Sequence, residues 1–241
     1  MAIMRVTNNG KAHENLVADS RKEQGIEVAV FLFLIVPSMV LSFFVIRQGS
    51  LGFVFTASSV ILRDLAMVSL ILFFLWRNRE PLERLGWNFK NGWKDVALGI
   101  ALFLPMFFAA GLLDHALQAA GFSAPATPLP SFLEARGRAE LLLAFFLVVI
   151  VAIAEETIFR GYLLLRFRAI NLSLPWAAVL STVIFSLGHG YEGTSGVVTV
   201  GAMGLTFAVI YLWRQSLVAP MVMHFLQDFI GIVLAPLLGL K

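Results

Sequence analysis

The residues best suited to chemistry lie inside an apolar stretch of the chain. Glu155, Glu156 and Arg160 stand in the run AEETIFRGY, between an apolar segment that begins near Leu141 and another that resumes at Tyr162. A charged side chain at the centre of a lipid bilayer costs at least about 2.5–3.5 kcal/mol. A chain that keeps three such residues there is therefore expected to use them.

Helix geometry divides these three residues into a structural pair and a reactive candidate. Glu156 and Arg160 are four positions apart and share one helix face, so they can neutralise each other. Glu155 is rotated by about 100° from Glu156 and has no such local partner. A carboxylate left without a partner suits a general base. We therefore expect Glu155 to act chemically, while Glu156 and Arg160 support its helix.

Two further sites place histidines in apolar segments. His189 ends the run FSLGH, and His224 stands four positions before Asp228 on the same helix face. Asp228 could hold His224 in one tautomer, or the two could act together on a ligand. At about 1.5 Å per residue from the cytosolic ends of their segments, Glu155, His189 and Asp228 reach depths of roughly 18–22 Å. The sequence thus predicts that three helices bring ionisable groups to one layer of the membrane.

The composition is that of a membrane protein. Of 241 residues, 59% are hydrophobic and only 14% are charged, whereas an ordinary soluble domain has about 25% charged residues. The chain has no cysteine, which excludes disulfides, thiolate metal sites and a cysteine nucleophile. Its formal net charge of +3 comes from basic residues between the apolar runs, a pattern of membrane topology and not of nucleic-acid binding.

The apolar runs predict an all-α fold, a polytopic integral membrane helical bundle of about seven or eight transmembrane helices. Gly231 and Pro236 could divide the last run into two pieces. Lysine and arginine are concentrated in the N-terminal arm and in the loops on the same side of the bundle, which predicts a cytosolic N-terminus. The predicted runs cover residues 27–46, 54–76, 95–121, 139–167, 174–189, 196–213 and 216–238.

Two other ionisable pairs are expected to be structural. Arg63 and Asp64 lie in the second run, where either each is buried with its own partner or the pair lines a cavity. The first interpretation is favoured because intramembrane charge is costly without a partner. Asp114 and His115 lie near the far end of the third run and are expected to be interfacial.

Taken in order, the motifs EExxxR, FxxxH and HxxxD resemble those of the CPBP family of CAAX proteases and bacteriocin-processing enzymes. The resemblance covers about residues 138–232, and the family's best-known member is the CAAX prenyl endopeptidase, which trims prenylated proteins. It implies an intramembrane endopeptidase of a bacterial-type inner membrane. The cleaved bond would belong to a membrane-associated or prenylated (CAAX-type) protein or a leader peptide, and would lie near the cytosolic side.

On this basis the chain is expected to comprise three regions. Residues 1–26 form a polar cytosolic arm without fixed structure, and residues 27–130 form the N-terminal transmembrane helices and their loops. Residues 131–238 form the region that resembles the CAAX proteases and would carry the catalytic groups.

The resemblance also implies a role for each motif residue. Glu155, together with His189, would activate water, and His224 with Asp228 would support the oxyanion. The family often has asparagine at the position of Asp228. Asparagine can donate a hydrogen bond to an oxyanion, whereas an ionised aspartate cannot. Asp228 would therefore be protonated, orient His224 or ligate a metal.

No cofactor is assigned from the sequence. Glu155, His189, His224 and Asp228 would make a reasonable zinc-type ligand set. However, the chain has no HExxH motif, and a metal-free mechanism resembles the prenyl endopeptidase better. The expected partners are membrane lipids and a peptide or protein substrate, with or without a CAAX-type prenyl group, and no nucleic acid. The oligomeric state is left open.

Two alternative functions use the same residues. A non-catalytic membrane adaptor or bacteriocin-immunity-type protein could bind a peptide or lipid in the same polar cavity. A small ion or proton transporter would also place carboxylates and histidines at mid-depth. The transporter is less favoured because the sequence shows no paired repeats or matching broken helices in its two halves.

Overall fold

A computed structural model describes residues 2–43, 52–125, 130 and 132–239, and this part of the chain is helical, without a strand, as the sequence predicts. Two π-helical segments, Thr157–Leu163 and Phe229–Leu234, continue one helix into the next, and short 3-10 turns cover Leu82–Leu85 and Gly190–Glu192. The α-helices are α1 (Ala2–Leu41), α2 (Phe53–Arg77), α3 (Gly92–Ala119), α4 (Gly137–Glu156), α5 (Leu164–Ala169), α6 (Leu174–Leu187), α7 (Gly193–Arg214), α8 (Val218–Asp228) and α9 (Ala235–Leu237).

Six helical stretches of the described residues are long and apolar enough to cross a membrane, which confirms the predicted polytopic bundle. Helix α6 is apolar but has only 14 residues. At 1.5 Å per residue it measures about 21 Å, less than the roughly 30 Å of a hydrocarbon core. The six stretches are Ser20–Leu41, Phe53–Arg77, Gly92–Ala119, Gly137–Ala169, Gly190–Arg214 and Val218–Leu237.

The structure differs from the predicted elements at both ends of the chain. Residues 2–26 are not an irregular arm, because they form the first part of α1 and continue without a break into the first span. The predicted end of that span at Ile46 lies outside the described residues. The last run is not divided at Gly231 and Pro236. The proline ring would clash with the preceding turn of a regular α-helix, and the π-helical segment Phe229–Leu234 widens that turn.

The π-helical segment Thr157–Leu163 lies at the centre of the bundle. It packs against α2, α6, α7 and the 3-10 turn Leu82–Leu85, while α4 packs against α2 and α8, and α3 covers α7 and α8. All seven of its residues are buried. The side chains of Ile158, Phe159 and Tyr162 belong to the largest apolar core. The segment that follows Glu155 and Glu156 is thus fixed by packing on all sides.

Ion pairs around two buried glutamates lie at one end of the bundle. Arg166 is 1% exposed, and its guanidinium lies 3.1 Å from Glu27 and 2.8 Å from Glu80. Arg77 also contacts Glu27, and Arg84 lies 2.9 Å from Glu80. These contacts tie α1, α2 and α5 together at the end that the sequence predicts to be cytosolic. We call this group of five residues the basic-end network.

We expect Gly99→Ala to destabilise the bundle. A Cβ atom at Gly99 would lie 2.8 Å from the Ala219 carbonyl oxygen and 2.9 Å from the Val222 Cβ, and overpacking of this kind costs about 1–3 kcal/mol. Thermal unfolding of the purified protein in detergent measures the change. Gly111→Ala is the matched control on the same helix, because nothing lies within 4 Å of its added Cβ. Equal unfolding temperatures for the two variants would contradict the close packing of α3 on α8.

Candidate active site

The predicted pair of Glu156 and Arg160 is confirmed as a buried ion pair. The Arg160 Nη1 donates a hydrogen bond of 2.8 Å to Glu156 Oε1, and the two side chains are 0–1% exposed. Glu155 precedes Glu156 on α4 but lies on another face, where its side chain is 11% exposed and lines a cavity. In the structure, as predicted, Glu156 is paired with Arg160 and Glu155 faces a cavity.

Glu156 also holds His224, a contact that the sequence did not reveal. The His224 Nδ1 donates a hydrogen bond of 2.8 Å to the same Glu156 Oε1 that accepts from Arg160. The other ring nitrogen, Nε2, lies 3.4 Å from Asp228 Oδ2 and 3.8 Å from Glu155 Oε2. Asp228 was considered as the residue that fixes the His224 tautomer. The shorter hydrogen bond comes from Glu156, and Asp228 and Glu155 face the opposite side of the ring.

His189 lies in the turn between α6 and α7. Its ring contacts Phe185, at 5.0 Å between centroids, and its Nδ1 is 3.3 Å from the Phe185 carbonyl oxygen. The end of α1 fixes this turn, because Ser42 Oγ accepts a hydrogen bond from the Gly190 N–H and donates one to the Leu187 carbonyl. The short helix α6 thus ends inside the bundle and presents His189 there.

Two cavities meet at the candidate residues. The larger one, about 380 Å³, lies among α3, α7 and α8, and we call it the α3-side cavity. The smaller one, about 160 Å³, lies among α2, α4 and α8, and we call it the α2-side cavity. His189, His224 and Asp228 line both, whereas Glu155 lines the α2-side cavity. The structure therefore brings all four candidate residues to adjoining spaces, in agreement with the common depth calculated from the sequence for Glu155, His189 and Asp228.

Both cavities occupy the half of the bundle away from the basic-end network. Their α2 residues come from the first half of that helix, Thr56 to Arg63, and their α3 residues come from its second half, Phe107 to Asp114. On the other side of the four candidate residues, the π-helical segment Thr157–Leu163 is buried. Both cavities therefore lie on the side of this segment that faces away from the network.

Arg63 and Asp64 do not follow the favoured sequence interpretation. They pair with each other, through an Arg63 Nε to Asp64 Oδ1 hydrogen bond of 2.9 Å, instead of finding separate partners. Arg63 also lines the α2-side cavity, with its Nη2 3.7 Å from Glu155 Oε1. The cavity interpretation is therefore the better one, and Glu155 has a cationic neighbour. Only the register of α2 against α4, which spacing does not reveal, places Arg63 there.

Aromatic rings enclose the charged centre. The Arg160 guanidinium carbon lies 4.2 Å from the Phe185 ring centroid and 5.2 Å from that of Phe207. The His224 ring stacks on Phe207 at 5.8 Å between centroids. Gly204 provides the space, since an added Cβ would lie 2.8 Å from Arg160 Nη2. Nothing in the sequence indicated this close contact between α7 and Arg160.

The zinc-type ligand set considered from the sequence is not assembled in the part of the chain that the structure describes. Among the residues that the structure describes, no three His, Asp or Glu side chains are arranged to hold one. His224 uses Nδ1 to bind Glu156, so Nε2 is the one ring nitrogen that could ligate a metal ion. The chemistry of the site is therefore derived from these side chains alone.

Part of the chain matches a known protein family. Residues 137–230 match the family described as Type II CAAX prenyl endopeptidase Rce1-like. The match covers less than half of the chain, but it contains every candidate residue and confirms the resemblance of this region to the CPBP family of membrane proteases. No curated protein and no solved structure matches the chain. At the level of the family, the match supports a CAAX-type intramembrane endopeptidase in an integral membrane protein.

We expect Glu156→Gln to destabilise the protein strongly, because it leaves the buried Arg160 without a counter-charge. Breaking a buried ion pair in this way costs about 3–5 kcal/mol. Thermal unfolding in detergent measures the loss. Glu83→Gln, an exposed change of the same type, should alter stability by no more than about 0.5 kcal/mol. If the two variants unfold at the same temperature, Glu156 does not stabilise the bundle.

Proposed function

We propose that this protein is an intramembrane endopeptidase that hydrolyses a peptide bond of a membrane-associated or prenylated protein or of a leader peptide. The observation that carries the proposal is the meeting of Glu155, His189, His224 and Asp228 at two adjoining cavities inside a membrane bundle. The buried Glu156–Arg160 ion pair lies next to them and contacts His224. The family match supports the reaction class.

Glu155 would act as the general base. It lines the α2-side cavity beside His189 and takes a proton from a water molecule as the water oxygen attacks the substrate carbonyl carbon. The protonated Glu155 then gives that proton to the leaving amine when the carbon–nitrogen bond breaks. His189 would orient the water. Arg63, 3.7 Å from Glu155 Oε1, attracts the carboxylate and limits its orientation.

His224 would stabilise the oxyanion of the tetrahedral intermediate. Its Nδ1 is occupied by Glu156, so only Nε2 is directed towards the cavities. A doubly protonated ring donates from Nε2, and Asp228 lies 3.4 Å from that nitrogen. We therefore assign Asp228 to holding the ring and its proton, and not to direct donation to the oxyanion. This role needs no proton on Asp228 itself.

The orientation of the bundle decides which membrane half contains the reaction. The arginines of the basic-end network and Arg214 lie towards one end, and the positive-inside rule places that end in the cytosol of a bacterial-type inner membrane. The cavities would then lie in the outer half of the membrane. The proposal thus differs from the expectation that cleavage occurs near the cytosolic side, and the labelling experiment below decides between the two.

We expect Glu155→Gln to reduce peptide cleavage by at least about 100-fold, as loss of a general base does, with an unchanged unfolding temperature. The measurement is cleavage of a quenched peptide library by purified protein in liposomes, each variant with and without a chelator. Glu134→Gln, a partly exposed carboxylate outside both cavities, is the matched control. Full activity of Glu155→Gln would disprove the mechanism, and loss of wild-type activity in chelator would require a metal.

The adaptor is the second candidate, because Asp228 stands where the family often has asparagine. An adaptor would use the cavities for binding only. Wild-type protein would then cleave no peptide, and Glu155→Gln would retain both peptide binding and the phenotype of the wild type in cells.

Labelling of introduced cysteines tests the orientation of the bundle, because the chain has no cysteine of its own that would react. We expect Gln118→Cys, exposed at the cavity end of α3, to react in intact cells with a membrane-impermeant maleimide. Glu83→Cys, exposed near the basic-end network, should react only after the cells are broken. The reverse pattern would place the cavities on the cytosolic side.

A further inference from the structure

The α3-side cavity carries an excess of negative charge, of which the proposed reaction uses only Asp228. Asp114, Glu192 and Asp228 line it, and no lysine or arginine is present among the described residues of its wall. His189 and His224 are the cationic candidates that face it. Asp114 was expected from the sequence to be interfacial, but it reaches this cavity from the second half of α3.

Several hydrogen-bond acceptors of this cavity have no partner within the described part of the chain. Thr199 is 8% exposed, lines the cavity and makes no hydrogen bond through its Oγ1. Asp114 accepts a hydrogen bond from Gln118 through Oδ2, while its buried Oδ1 has none, and the same holds for Gln227 Oε1. Buried polar atoms are nearly always hydrogen-bonded. A ligand that donates several hydrogen bonds would therefore satisfy this wall.

The remaining wall is apolar, and its shape favours an extended cation over a metal ion. Phe107, Met203 and Phe207 line the cavity beside the acceptors, and its volume is about 380 Å³. No three acidic or histidine side chains of the described residues converge to hold a metal ion. Lysine and arginine combine an apolar stem with a charged donor head, and neither head can accept a hydrogen bond. Their side chains thus match both parts of the wall.

We propose that the α3-side cavity binds a lysine or arginine side chain of the peptide substrate and so places the neighbouring peptide bond against Glu155, His189 and His224. This inference rests on the proposed endopeptidase function. It predicts that the substrates are peptides with a basic residue close to the cleaved bond. That residue would lie on the side of His224 and Asp228 that faces α3. The site would select the substrate by charge in a membrane region where an unpaired cation is costly.

The first arm of the test measures cleavage of paired quenched peptides in liposomes. The peptides of each pair differ only in lysine or its uncharged analogue norleucine at one position. We expect wild type to prefer lysine, and Asp114→Asn, Glu192→Gln and Thr199→Val each to reduce that preference, by about tenfold for a lost charged hydrogen bond. Glu134→Gln should keep the wild-type preference. An unchanged preference in all three cavity variants would overturn the proposal.

The second arm measures binding and does not depend on cleavage. Glu155→Gln protein in liposomes is titrated with the fluorescent lysine and norleucine peptides. Tighter binding of lysine peptides, lost in the double variant Glu155→Gln with Glu192→Gln, supports the cation site even if wild type cleaves nothing. Equal binding of both peptides overturns the site even if wild type is an active peptidase. Failure of the reaction and failure of the site are therefore separate results.

A third arm identifies the source of the cation. Wild type and Glu192→Gln are unfolded thermally with increasing sodium or calcium chloride, with choline chloride as the ionic-strength control. We expect no stabilisation specific to either metal. Stabilisation of wild type that Glu192→Gln lacks would mean that a free metal ion fills the cavity, and it would overturn the assignment to a peptide side chain.

Discussion

One carboxylate, that of Glu156, fixes the centre of this bundle. Its Oε1 accepts hydrogen bonds of 2.8 Å from both Arg160 and His224. A buried charge without a partner costs several kcal/mol, so the ion pair with Arg160 is what makes an ionised Glu156 tolerable in the core. Because Glu156 belongs to α4 and His224 to α8, the same oxygen also sets how these helices face each other. The orientation of the proposed oxyanion donor is therefore a consequence of the requirement to neutralise Arg160.

The packing around this ion pair explains features that look unrelated in the sequence. Arg160 lies in a π-helical segment, and Phe185 and Phe207 cover its guanidinium from two other helices. Gly204 is needed because any side chain there would occupy the space of Arg160. Phe185 also contacts the ring of His189. The charged pair, the aromatic rings and the glycine thus form one packed unit, and a change in any of them is expected to shift His189 and His224.

The features that the sequence predicts correctly are those that depend on local residue spacing. The long spans follow from hydropathy, the Glu156–Arg160 pair from a separation of four positions, and the common depth of the reactive residues from the rise of a helix. The Glu156–His224 contact joins residues 68 positions apart, and the approach of Arg63 to Glu155 depends on the register of two helices. Neither leaves a periodic signal. The helical continuation of α1 into residues 2–26 was likewise missed, because a polar composition does not distinguish an exposed helix from an irregular arm.

Buried carboxylates are neutralised at one end of the bundle, whereas the α3-side cavity at the other end keeps an excess of negative charge, and this difference bears on the role of Asp228. At the basic end, each buried glutamate contacts an arginine, so charge is neutralised within the protein. At the cavity end, Asp228 adds a third carboxylate to a wall that already contains Asp114 and Glu192, without a lysine or arginine among its described residues. An asparagine at position 228 could serve the oxyanion directly, whereas the aspartate gives up that donor. An aspartate in place of asparagine also increases the negative charge of the cavity. Under the two proposals, the lost oxyanion donor is therefore coupled to a stronger attraction for a cationic substrate group.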